Sequence, residues 1–147
     1  MHVCAYRPLR LDLAHYWLLL LRWKPMARLD IRPATEKDFE EIYGHPPSRS
    51  IRGYSGYLHG KPVAIAGIYY YPDQVVAFCN IRPEAYECRM GLARGVLRVL
   101  ELIEDKAVPV FAIADPNIPG AEDFLMRCGF QYYLKSPNGE VFIWQKP

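Results

Sequence analysis

Residues 75–105, VVAFCNIRPEAYECRMGLARGVLRVLELIED, decide how this chain is read. Val75–Ile81 is a mostly apolar run that reads as a strand. A helix follows from about Ala85 to Asp105. Leu92, Val96, Val99 and Ile103 recur at helical spacing with Leu100 beside them, and Arg94, Arg98, Glu101 and Asp105 form the opposite stripe. Val108–Ala114 (VPVFAIA) then reads as a buried strand. Strand, helix and strand in this order imply a parallel crossover. The first helical turns are chemically suggestive. Gly91 and Gly95 stand four apart, on one side of the helix. A helix start carries unpaired N–H groups at the positive end of its dipole, and small residues leave a bare patch where phosphate can approach the backbone. Each glycine costs the helix about 1 kcal/mol against alanine. Close packing against a sheet or a neighbouring helix is the other explanation for the pair.

Outward from this stretch, Leu29–Arg32 alternates apolar and polar as a short strand, ended by Pro33. Thr35 reads as a helix N-cap, with Asp38 in place of the usual Glu or Gln of a capping box. The helix runs through Phe39 and Ile42 until Gly44, His45, Pro46 and Pro47 stop it. Residues 44–53 read as an irregular loop. A meander follows: Tyr54–Leu58, a turn at His59–Pro62, Val63–Tyr71, a turn at Pro72–Gln74, and Val75–Ile81. Beyond the crossover, Asp115-Pro116-Asn117 breaks the strand. Gly120–Cys128 is a short helix ended by Gly129, and Phe130–Leu134 and Val141–Lys146 are strands joined through Ser136-Pro137-Asn138-Gly139.

At 147 residues the chain reads as one domain with a sizeable core. Its charge is uneven. Residues 1–25 hold four basic residues and one acid, leaving 14 basic and 15 acidic residues for the rest, out of 18 and 16 in the whole chain. The body therefore lacks the basic field that nucleic-acid binders need. Residues 1–25 read as an N-terminal extension, poorly ordered or the product of an upstream start, and the domain as residues 26–147. The apolar run Leu13–Leu21 is about half the length of a membrane span. Cys4, Cys79, Cys88 and Cys128 form no C-x-x-C pair and no zinc-spaced cluster with histidines. The expectation is a cytoplasmic protein with free thiols, no metal, no nucleic-acid partner and no membrane span.

With its element order, residues 28–146 resemble the GCN5-related N-acetyltransferase family. Cys88-Arg89-Met90-Gly91-Leu92-Ala93 resembles the family's pyrophosphate loop, Gln/Arg-x-x-Gly-x-Gly/Ala. It matches at Gly91 and Ala93 and departs at Cys88, beside Arg89. Ala121–Phe130 (AEDFLMRCGF) resembles a second family motif, a helix ending in Gly-Phe. There the family often has a tyrosine, which donates a proton to the CoA thiolate, where this chain has Leu125. It commonly has an asparagine at the position of Ile118. The chain also resembles short acetyltransferase-like proteins of bacteriophages, which would put it in a host cytoplasm.

The resemblance implies an α+β fold, a mostly antiparallel central sheet with one parallel βαβ crossover and helices on both faces. It implies transfer of acetyl from acetyl-CoA to a primary amine of a small molecule or protein, with oligomers an option. A catalytically degenerate relative serving as a binding or structural component is the alternative. The cofactor would be held by Asn80, Ile81, Cys88, Arg89, Gly91, Leu92, Ala93 and Arg94. A strand N–H near Cys79–Ile81 would polarise the thioester carbonyl if that strand splays from its neighbour. Glu84 and Asp115 are the candidates for a base, with Glu87 alongside; each is equally an ordinary surface or helix-end carboxylate. Free thiol is a fair leaving group, so catalysis does not strictly need an acid.

Overall fold

The computed structural model describes residues 28–146. The assignment of residues 1–25 to an extension falls outside the described residues. The chain forms β1 (Asp30–Pro33), α1 (Glu36–Tyr43), β2 (Ile51–Leu58), β3 (Lys61–Tyr70), β4 (Val75–Ile81), a 3₁₀ turn (Pro83–Ala85), α2 (Arg89–Glu104), β5 (Val110–Ala114), α3 (Ala121–Arg127), β6 (Gln131–Ser136) and β7 (Gly139–Trp144). The strands make one sheet in the order β1-β2-β3-β4-β5-β7-β6. Every neighbouring pair is antiparallel except β4 and β5, which are parallel across the α2 crossover. The expected α+β class and the single parallel crossover are both present.

Alternation along β3 divides the core into two faces. Ile65 and Tyr69 face α1, where they meet Phe39, Ile42 and Phe78. Ile68 faces the other way, into a cluster with Val99, Leu102 and Ile103 of α2 and with Ala112, Phe130 and Phe142; Ala121 and Leu125 of α3 pack against the same cluster. Helices therefore cover both faces, α1 on one and α2 with α3 on the other. Phe39 is fully buried, its ring 4.3 Å from Tyr43, 5.6 Å from Phe78 and 5.8 Å from Tyr69.

The capping box expected at α1 is complete. Thr35 Oγ1 accepts from the Asp38 N–H, and Asp38 Oδ2 accepts from the Thr35 N–H, both at 3.1 Å. Asp38 does more than cap. It is 3 % exposed and also accepts from the Ser55 hydroxyl at 2.9 Å and from the Tyr57 hydroxyl. One carboxylate thus ties the first turn of α1 to β2. At the other end Gly44, with φ of 84°, stops the helix as its C-cap.

Several boundaries differ from the sequence expectation. β2 begins at Ile51, inside the stretch 44–53 expected to be loop. Gly53 is there a position of close approach. It pairs with Gly67, and a Cβ on it would lie 2.1 Å from the Ala66 carbonyl oxygen. The crossover helix begins at Arg89, not Ala85, because the 3₁₀ turn over Pro83–Ala85 intervenes. In the terminal hairpin β7 lies beside β5 and β6 forms the sheet edge.

Candidate active site

β4 and β5 are joined for only two residue pairs, Val75 with Val110 and Val76 with Phe111. Beyond these the strands part. A cavity of about 490 Å³ occupies the opening, touched by every residue from Ala77 to Ile81 and from Ala112 to Asp115. Successive strand residues point to opposite faces, so a cavity touched by all of them runs edge-on through the sheet. The splay expected near Cys79–Ile81 is present.

The backbone follows from the ladder. Arg82 N–H donates to Val63 C=O at 2.8 Å, and Tyr71 N–H donates to Gln74 C=O at 2.9 Å. In an antiparallel pair, alternate residues turn their backbone groups to the same neighbour. The residues of β4 in phase with Arg82, Asn80 among them, therefore pair with β3. Cys79 and Ile81 turn their N–H and C=O to the opening. The Asn80 side chain lines the cavity from the α1 side of the sheet.

The walls are mostly apolar: Val96, Val99, Leu100 and Ile103 from α2, and Phe124, Leu125 and Cys128 from α3. Tyr43 of α1 lines the same cavity, with Tyr86 beside it. Neither tyrosine stands in a motif; only the fold brings the last turn of α1 to the edge of β4. Burial, then the neighbouring Tyr69 and Cys79, holds the Tyr43 hydroxyl above its usual range. Cys79 opens onto the cavity, whose apolar walls hydrate a thiolate poorly. Burial, with Cys128 nearby, pushes its thiol up to about 11.

At the start of α2, Cys88 is buried and its N–H donates to Ala85 C=O at 2.9 Å, while Leu92 N–H donates back to Cys88 C=O at 2.9 Å. The first-turn N–H groups that no helical carbonyl can accept are those of Arg89, Met90 and Gly91. No side chain caps this end and no acid lies in the first turn. Arg89, Ala93 and Arg94 are exposed. Leu92 is half-buried and packs with Ile81 against the Leu29, Ala85 and Cys88 cluster. The bare glycine patch expected on this helix is filled. A Cβ at Gly91 would lie 2.6 Å from the Cβ of Leu29, and one at Gly95 would lie 3.5 Å from Ile31 Cδ1. Close packing against Leu29, just before β1, accounts for Gly91; Gly95 makes only an ordinary contact with Ile31.

Of the carboxylates, Asp115 lies at the cavity rim, where its Oδ1 accepts from the Asn117 N–H at 2.8 Å. Glu84 and Glu87 are exposed around the 3₁₀ turn and do not line the cavity. Among the described residues, no helix is long and apolar enough to cross a membrane.

No protein-family model matches the sequence, and no curated protein is similar to it. Solved structures are. PaiA N-acetyltransferase of Thermoplasma acidophilum, in complex with coenzyme A, superposes with a TM-score of 0.58 at 9 % identity, over 80 % of this chain and 99 % of its own. An acetyltransferase of Agrobacterium tumefaciens gives 0.55 at 11 % identity, over 81 % and 91 %. The GNAT-superfamily phosphinothricin acetyltransferase of Sinorhizobium meliloti, in complex with acetyl-CoA, gives 0.54 at 16 % identity, over 82 % and 88 %. The seven-stranded sheet split between β4 and β5, with its crossover helix behind the split, is the fold of the GCN5-related N-acetyltransferases.

Proposed function

We propose that this protein binds acetyl-CoA in the β4–β5 opening and transfers the acetyl group to a primary amine of a small molecule or protein. The parting of β4 from β5 after two residue pairs carries this reading. It leaves a strand edge with unpaired amides beside a mostly apolar slot, the form needed by an extended, amide-bearing chain that pairs with backbone as it enters. The N-terminus of α2 supplies free N–H groups of Arg89, Met90 and Gly91, and Arg89 and Arg94 supply positive charge for a pyrophosphate. Ile81, Leu92 and Ala93 shape the approach, Cys88 anchors the turn beneath it, and Asn80 offers an amide within the slot. The Cys79 or Ile81 N–H faces the place where a thioester carbonyl would develop negative charge. Asp115 at the rim is the carboxylate best placed to take a proton from the incoming ammonium through water.

Thermal unfolding with acetyl-CoA tests this directly. Ligand at 100 times its Kd stabilises the folded state by about 2.7 kcal/mol. Arg89→Glu combined with Arg94→Glu is expected to remove that shift while leaving the unliganded midpoint in place. No shift of the wild type at millimolar acetyl-CoA overturns the reading.

A second reading, a retained fold with lost chemistry, rests on Leu125 and Ile118, where the family often carries tyrosine and asparagine. Acetyl-CoA binding without turnover over a broad amine panel would favour it. The likeness to phage-borne proteins and the placement in a host cytoplasm rest on sequence alone.

A further inference from the structure

The opening between β4 and β5 has few side-chain donors. Leu125 and Phe124 present none on the α3 wall, and the α2 wall is aliphatic. Tyr86 is 58 % exposed, so water satisfies it. Tyr43 differs. Its ring is held by Phe39 at 4.3 Å and by Phe78 at 6.3 Å, and its residue is only partly accessible. No hydrogen bond joins its hydroxyl to a described residue, and the hydroxyl itself keeps some contact with solvent. A tyrosine hydroxyl set against apolar walls ordinarily finds a partner. Here the ring lines the cavity alongside Cys79 and Leu125.

We infer that Tyr43 hydrogen-bonds the coenzyme sulfur in the opening and stabilises the thiolate that leaves during acetyl transfer, from the wall opposite Leu125. The inference rests on the acetyl-transfer reading. In that step the amine nitrogen bonds to the acetyl carbon, the C–S bond breaks, and its electron pair stays on sulfur. The amine's surplus proton passes to water, and the released thiolate later takes a proton from water. Tyr43 keeps its own proton throughout. Its hydroxyl is held above the usual phenol range by burial, then by Tyr69 and Cys79, so it donates a hydrogen bond without giving up the proton. Tyr43 thus acts by charge-assisted hydrogen bonding.

The test needs no amine. CoA carries an ionisable thiol and acetyl-CoA does not, so the ratio of their affinities isolates the thiolate. Calorimetric titration of the whole protein is expected to show CoA gaining on acetyl-CoA by about tenfold between roughly pH 7 and pH 10, the scale of one hydrogen bond to a charged atom. Tyr43→Phe keeps the ring stacking and is expected to flatten that ratio. A ring-fluorinated tyrosine at position 43, nearly isosteric and a stronger donor, is expected to steepen it, and serves as the second variant if Tyr43→Phe fails to fold. A ratio that stays flat in the wild type, that survives Tyr43→Phe, or that is lost with Asn80→Ala in its place overturns the role of Tyr43 and leaves acetyl-CoA binding standing. Failure of the wild type to bind either ligand overturns both.

Discussion

Leu29 occupies the space that the missing side chain of Gly91 leaves: a Cβ at position 91 would sit 2.6 Å from the Leu29 Cβ. The contact involves the root of the leucine side chain, which cannot rotate away. Gly91→Ala is therefore expected to lower stability by about 1–3 kcal/mol, the usual range for overpacking. At Gly95 the neighbour is the tip of Ile31 at 3.5 Å, an ordinary contact. Gly95→Ala is expected to raise stability by up to about 1 kcal/mol through helix propensity. Urea unfolding of the two variants separates them, and equal effects would remove the Leu29 contact as the reason for Gly91.

Asp38 sets an acid limit on stability. Burial alone would raise its carboxyl, but hydrogen bonds from Tyr57, the Thr35 N–H and Ser55 outweigh that and hold it below 3.8. A depressed carboxylate contributes stability above its unfolded pKa and loses it as pH falls through the folded value. Wild-type stability is expected to drop below about pH 4, and Asp38→Asn to weaken that dependence. Asp38→Ala, which leaves buried donors unpaired, is expected to cost about 2–4 kcal/mol. Chemical denaturation across acid pH is the measurement.

The same bond sets an alkaline limit through its donor. The hydrogen bond to Asp38, with burial and the Asp38 charge, lifts the Tyr57 hydroxyl to about 12, against a lowering by Arg32, whose guanidinium lies 4.3 Å from the ring centroid. A raised phenol contributes stability below its unfolded value of 10 and loses it as pH climbs to about 12. Tyr57→Phe is expected to flatten this alkaline decline.

Cys79 opens onto the cavity yet is expected to react slowly. With its thiol at about 11, only roughly one part in ten thousand is thiolate at pH 7. Its alkylation by iodoacetamide should rise about tenfold per pH unit through neutral and mildly alkaline conditions. Saturating acetyl-CoA should suppress it at every pH. Peptide mapping reads Cys79 separately from Cys88 and Cys128. Fast labelling at neutral pH would contradict the apolar environment assigned to this wall.

What the sequence disclosed depended on the range of the interaction. The capping box at Thr35 and Asp38 and the strand Val75–Ile81 are local, and both stand within or at the expected residues. The βαβ crossover was legible because order and handedness follow from chain stereochemistry. Gly53 was misread because a glycine facing Gly67 across a sheet looks, in one dimension, like a glycine in a loop. The glycine pair on α2 was ambiguous for a related reason: a patch for phosphate and a notch for Leu29 require the same missing atoms. Tyr43 was not singled out because its place beside Cys79 is set by how α1 lies across the sheet, and no spacing in the chain encodes that.

The two-rung seam between β4 and β5 also has a mechanical side. Four strands lie on one side of it and three on the other, and α2 bridges them in sequence by packing mainly on β2, β3 and the Val110–Phe142 cluster. Past those two rungs the halves are held together by side chains alone, through the cluster that joins Ile68 and Val75 to Val110 and Phe142 beneath the crossover helix. A seven-stranded sheet is thus continuous across its middle through two residue pairs only, and the core beneath it is what makes the two halves one body.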